Sequence, residues 1–233
     1  DNDTLGNASL ISRFNSDQNV VVSNISIIKG IAKILDINGN YYINREGNNL
    51  DFNIHLSNIY LHPLEKYIDD IMKEIYGKVS ADLKVTGSFN KPVLNGTVDL
   101  NKTSLIVNYL NTRYSFSNTI KVTENEFELN DLKLVDVNNN EAIANGRIYH
   151  NYFKNFRFDV ELQAKRFQVL NTTINDNSLY YGLANASGYA HFYGPIENMN
   201  MDISMSPDRG TKLNIPLNSL EDLSSSGYIT FID

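Results

Sequence analysis

The stretch 77–100 reads GKVSADLKVTGSFNKPVLNGTVDL, and its alternation limits what the chain can become. Ala81, Leu83 and Val85 are separated by Asp82, Lys84 and Thr86. A period of two puts the apolar groups on one side of an extended strand and the polar groups on the other. Gly87 closes the strand. Asn90, Lys91 and Pro92 predict a turn, because proline fixes its own φ and pushes the preceding residue toward extended backbone. A second alternating run starts at Val93, so the stretch reads as a hairpin with one dry face.

The same pattern fills most of the chain. Residues 1–36 carry weaker strand signals at 9–14, 19–22 and 25–35, with turns predicted at Gly30 and Gly39. Leu50, Phe52, Ile54 and Leu56 alternate with Asp51, Asn53, His55 and Ser57. Further strands are predicted at 105–109, 120–122, 127–129 and 132–134. A polar turn at 136–141 precedes another at 142–150. Phe156, Phe158, Val160, Leu162 and Ala164 continue the theme, followed by 190–192, by Met199, Met201, Ile203 and Met205, and by 211–217. A Ser-rich break at 224–227 leads to a last alternating piece at 228–232.

One segment departs from the period. Leu64, Ile68, Ile71 and Ile75 follow the spacing of one helix face, with Pro63 at the start and Gly77 after the last turn. They predict a single short helix over 63–76. Glu65, Asp69, Asp70 and Glu74 read as its solvated face.

The chain has 233 residues, a net charge of −7 and no cysteine. Basic residues form no cluster, which argues against nucleic acid and against electrostatic docking to anionic lipid headgroups. Without cysteine there is no disulfide framework and no thiolate chemistry. No apolar run approaches the ~18 residues of a membrane span. The polar start at Asp1 reads as a piece of a longer protein whose targeting segments lie elsewhere. His55, His62, His150 and His191 form no ligand-spaced pair, and there is no G-x-S-x-G. We therefore assign no catalytic residue, no metal, no cofactor and no enzymatic activity.

The sequence also repeats itself. Asn38-Gly39 aligns with Asn145-Gly146 at an offset of 107 (146 − 39), and Ser80-Ala81 with Ser187-Gly188 at the same offset. Phe52, Ile54 and Leu56 align with Phe158, Val160 and Leu162 at 106 (158 − 52). Two copies of about 107 residues, near 37–100 and 144–205, then make up one segment covering 1–233. A one-sided apolar sheet must bury that face, and one short helix cannot cover it. The expected fold is all-β: an elongated, bent sheet of repeated antiparallel strands with an apolar inner groove.

After the 77–100 hairpin come GRIYHNYF at 146–153, FQVLNTT at 167–173, DNSLYYG at 176–182, SGYAHFYG at 187–194 and TKLNIPL at 211–217. In this order and spacing they resemble the C-terminal region of the translocation and assembly module (TamB) family, within the AsmA-like superfamily. The resemblance spans nearly the whole chain and is weakest over 1–36 and 218–233. It implies a periplasmic protein anchored in the inner membrane by an N-terminal helix outside this stretch. It implies a β-taco, a tall bent sheet with a greasy groove. The implied roles are phospholipid transfer to the outer membrane and assembly of outer-membrane barrels, with phospholipid acyl chains and an Omp85-type barrel protein as partners.

The candidate groove residues are Leu83, Val85, Val98, Leu100, Phe127, Leu129, Phe156, Phe158, Val160, Leu162, Met201 and Ile203. The same stripes also read as ordinary core side chains touching one another. Burying about fourteen CH₂ groups of an acyl chain would contribute on the order of 11 kcal/mol before ordering costs, without any headgroup contact. Little headgroup specificity is therefore expected. A second reading is a scaffold or chaperone for barrel proteins that works by sheet-edge pairing. A carbohydrate-active β-enzyme is the third, weakened by the absence of tryptophan from the sequence.

Overall fold

The computed structural model describes residues 6–69 and 71–216. Its strands are β1 (Asn7–Asn15), β2 (Val20–Lys29), β3 (Ala32–Tyr42), β4 (Leu50–Tyr60), β5 (Met72–Ser88), β6 (Lys91–Val107) and β7 (Thr112–Val122). They continue with β8 (Glu126–Val135), β9 (Glu141–Asn151), β10 (Lys154–Thr172), β11 (Tyr181–Pro195), β12 (Asn200–Pro207) and β13 (Lys212–Asn214). All join one 13-stranded antiparallel sheet in which β1 to β12 neighbour each other in chain order, and β13 returns to β11. The strand signal at 228–232 lies outside the described residues.

Register converts the alternation into two faces. One rung runs Leu10, Ile25, Ile37, Ile54, Leu83, Gly96, Val122, Phe127, Ile148, Phe158, each directly opposite the next. The adjacent rung runs Ser9, Ser26, Asp36, His55, Asp82, Thr97, Lys121, Glu128, Arg147, Asp159, Tyr193, Asn200. Directly opposed residues of an antiparallel pair share a face, so along these rungs the sheet is apolar on one side from β1 to β10 and polar on the other.

Bulges curl this sheet. Asn58 in β4, Lys102 in β6, Asp131 in β8 and Arg166 in β10 each sit at positive φ where the register shifts. Each donates its backbone N–H to a side-chain oxygen on the following strand: Ser80 Oγ at 3.0 Å, Ser117 Oγ at 2.9 Å, Asn145 Oδ1 at 2.7 Å and Ser187 Oγ at 2.8 Å. A bulge bends its strand and increases its twist. These four lie on strands running in the same direction, so their bends add.

The curl closes one end of the sheet. β7 and β10 extend past the short β8–β9 hairpin and meet. Asn171 N–H donates to Leu110 O at 2.9 Å, and Asn111 Nδ2 donates to Asn171 O at 2.9 Å. The Tyr114 and Phe167 rings stack at 4.8 Å, and Phe167 is 1% exposed. Asp136, buried in the turn after β8, accepts the Gln168 N–H at 2.8 Å and so ties the hairpin tip to β10.

Two sequence expectations are corrected. The helix expected over 63–76 is a short 3₁₀ helix, His62–Tyr67, and strand β5 begins at Met72. Of the apolar residues that suggested the helix, Leu64, Ile68 and Ile71 stay exposed and only Ile75 is buried. A helix there would have had nothing to pack against, whereas as a strand 72–88 hydrogen-bonds to β6 and places Ile75 against Leu105. Gly39 is no turn either. It lies inside β3 opposite Phe52, where a Cβ would come 2.1 Å from the Asp51 carbonyl oxygen.

Candidate functional site

The apolar face is the surface on which the candidate residues gather. Val85 lies between Phe52 and Leu94, and Leu83 between Ile54 and Gly96. Val98 lies between Ala81 and Ile120, while Leu100 opposes Val79. Phe127 faces Val122 and Ile148, and Leu129 faces Gly146. Phe158 opposes Ile148, with Phe156 one alternation away on the same face. Val160 faces Phe192, Leu162 faces Ala190, and Met201 and Ile203 oppose that same Phe192 and Ala190. All twelve therefore share one side of the sheet.

They differ in accessibility. Leu129 is 8% exposed and packs with Leu132 and Ala144, so the stripe is closed core at its centre. Small residues permit this: Ala142, Ala144, Ala164, Ala186 and Ala190 are all buried on β9, β10 and β11. Gly146, at φ 141, belongs to the same set, since a Cβ there would come 2.1 Å from the Asp159 carbonyl oxygen. Toward the flanks the stripe opens. Ile203 is 60% exposed on β12, and Leu10 is 67% exposed on β1. Leu83, Val85, Val98, Leu100, Phe127, Phe156, Phe158, Val160 and Leu162 are half-buried between these limits.

Sequence reasoning missed His150. Its ring lies among the candidate aromatics, 4.9 Å from Phe127, 4.5 Å from Phe153 and 6.2 Å from Phe156 between centroids. Burial holds its imidazole below the ordinary value of 6.5 and so favours the neutral form. The usable signal was its phase, two residues beyond Ile148 and hence on the apolar side. At the closed end, burial pushes the Tyr114 phenol up to about 12, and its hydroxyl donates to Gln168 O at 2.9 Å.

The opposite face is polar and laced with ion pairs and side-chain hydrogen bonds. Lys121 meets Glu128 at 2.8 Å, Arg147 meets Glu126 at 3.4 Å, and His191 meets Asp159 at 2.8 Å. The Lys121 hydrogen bond holds the Glu128 carboxyl below its usual range. These exposed pairs keep that face wet and contribute little to stability.

Residues 130–232 match the family described as the TamB C-terminal domain. No curated protein and no solved structure matches the chain. The match runs from within β8 through β13 and bears out, over that stretch, the family resemblance read from the motifs at 146–217. TamB domains belong to envelope proteins of outer-membrane assembly and are not a known enzyme family.

Proposed function

We propose that this TamB-type segment holds phospholipid acyl chains on its apolar face, as a periplasmic length of a conduit between the inner and outer membranes. The observation that carries the reading is the unbroken apolar rung from Leu10 to Phe158, solvent-accessible at the β1 edge, together with the exposed Ile203 on β12. A face meant only for internal packing would be covered to its edges, because exposed apolar area is costly in water. Chains would lie across the strands, along the stripe, with Leu83, Val85, Phe158, Met201 and Ile203 as contacts. An N-terminal inner-membrane anchor and an Omp85-type barrel partner complete the arrangement we propose for the longer protein. The bulge pairs Asn58–Ser80 and Arg166–Ser187, spaced by 108 (166 − 58) and 107 (187 − 80), support reading the segment as two copies of one unit.

Mass spectrometry of the gently purified segment tests the main reading. Co-purified phospholipid and saturable binding of an apolar fluorescent probe are expected. If neither occurs, the reading fails.

A second reading, assembly of barrel proteins by strand addition, is favoured by β1, every residue of which is exposed, and by β12, nearly so. A strand edge of this kind is a template for another chain. Capture of a barrel-strand peptide, competed by a peptide of the β1 sequence NASLISRFN, is the expected result under that reading.

A further inference from the structure

His150 is 6% exposed, and its Nε2 is fully buried with no protein group to pair with. Its Nδ1 is occupied: the Phe153 N–H donates to it at 3.3 Å. A neutral ring that accepts at Nδ1 carries its proton on Nε2. The ring therefore keeps an unpaired N–H donor buried among the rings of Phe127, Phe153 and Phe156, on the apolar face. Buried donors in native proteins are nearly always paired, so an orphan of this kind points to a partner that is not part of the chain.

We infer that His150 Nε2–H is the contact for an ester carbonyl of an acyl lipid lying on the apolar face, so that the segment distinguishes ester-linked from ether-linked chains. This rests on the lipid-holding reading above and adds a subsite to it. The cover over the ring is Phe153, stacked on it at an interplanar angle of 20°. Phe153 stands at the tip of the β9–β10 hairpin, where Tyr152 and Phe153 both have positive φ. A tip residue can swing aside without disturbing the ladder on either strand. From β9 to β12 there are three interstrand steps, about 14 Å, close to half of the ~30 Å hydrocarbon core that two opposed acyl chains fill. A chain whose ester sits at His150 runs obliquely from there over Phe156 and Phe158 toward β12, because Met201 lies on the rung of Phe192, Val160 and Gly146, four residues along β9 from His150 (150 − 146). Beside the hairpin, Lys91 Nζ lies 6.0 Å from the Tyr152 ring, placing a cation near where a headgroup phosphate would emerge.

The test compares two synthetic phosphatidylethanolamines of equal chain length, one diacyl and one dialkyl ether, in displacement of an apolar fluorescent probe. Wild type should prefer the diester about fivefold to tenfold, the contribution of one neutral hydrogen bond. His150→Phe, checked for fold by circular dichroism, should bind both equally. The ¹⁵N resonance of His150 Nε2 in the wild-type segment gives a readout that needs no variant. It should shift with the diester and not with the diether. Equal affinity of wild type for the two lipids, or a preference that survives in His150→Phe, overturns the subsite while leaving lipid holding intact. Failure of wild type to bind either lipid or the probe overturns both.

Discussion

Arg166, at φ 53 in β10, donates its backbone N–H to the Ser187 hydroxyl of β11 at 2.8 Å. The contact is small, but it recurs on β4, β6 and β8, and the bends it fixes bring β7 against β10. Ser187→Ala should be mild, about 1 kcal/mol, because the exposed N–H can turn to water. Arg166→Val should cost more, about 1–2 kcal/mol, since a β-branched residue resists positive φ. Urea denaturation followed by circular dichroism measures both. If Arg166→Val proves as stable as wild type, the bulge drops out of the account of the curl.

Filling the close approach at Gly146 is a harsher change. A Cβ 2.1 Å from the Asp159 oxygen must push β9 away from β10 at the centre of the packed stripe. Gly146→Ala is expected to lose about 2–4 kcal/mol, in the range of strained-backbone and overpacking mutants. The midpoint of urea unfolding reads this directly. A shift no larger than that of Ser187→Ala would refute the packing described for β9 and β10.

The alternation at 77–100 made the all-β class and the shared face of Leu83, Val85 and Phe158 legible, because period two is set by local backbone geometry alone. The curl was not legible. Asn58, Lys102, Asp131 and Arg166 have no common side chain, and what places them at bulges is the register of the neighbouring strand. The helix expected over 63–76 failed for a related reason. Leu64, Ile68, Ile71 and Ile75 have helical spacing, but only Ile75 finds a core, against Leu61, Val79 and Leu105, and it does so from strand β5. His150 was passed over because a histidine search looks for partners of its own kind, and its neighbours here are phenylalanines.

The two ends of the accessibility gradient should separate folding from binding. Ile203→Lys, on the exposed flank, should leave stability within about 0.5 kcal/mol. It should nonetheless weaken apolar-probe binding several-fold by placing a charge in the stripe. Leu129→Lys puts the charge in closed core and should lose about 4 kcal/mol or more. Should Ile203→Lys bind the probe as well as wild type, the β12 flank is no part of the binding face.

Acidification should weaken the fold first through His150. An unfolded histidine takes up its proton as pH falls through about 6.5, whereas burial delays this in the folded state. Between those two values the unfolded chain holds more protons, so the stability present above 6.5 is lost as pH falls toward the folded value. Glu65, bonded by the N–H groups of Glu74 and Ile75, and Asp176, bonded by Thr173, are also held below their ordinary values of 4.5 and 3.8. They carry the loss on to lower pH with the same sign. Thermal melts from pH 7.5 to 5 should slope less in His150→Phe than in wild type. Parallel slopes would show that the buried imidazole is not the group responsible.

At the other extreme, Tyr114 should set the alkaline limit. Its phenol resists ionisation to about 12 because burial penalises the anion and the Asp136 carboxylate repels it. In the unfolded chain the same group ionises near 10, so above that value the unfolded state has released a proton that the folded state still holds. Stability is then full below pH 10 and falls as pH rises through 10 toward 12. Tyr114→Phe keeps the ring on Phe167 but leaves the Gln168 carbonyl without its donor, at a cost of about 1–2 kcal/mol near pH 7. Above pH 10 the variant should lose less with each further rise than wild type does. Urea midpoints at pH 7, 9.5 and 11 decide it: the gap between the two proteins must narrow at pH 11, and a constant gap would mean that the closed end does not depend on keeping this phenol neutral.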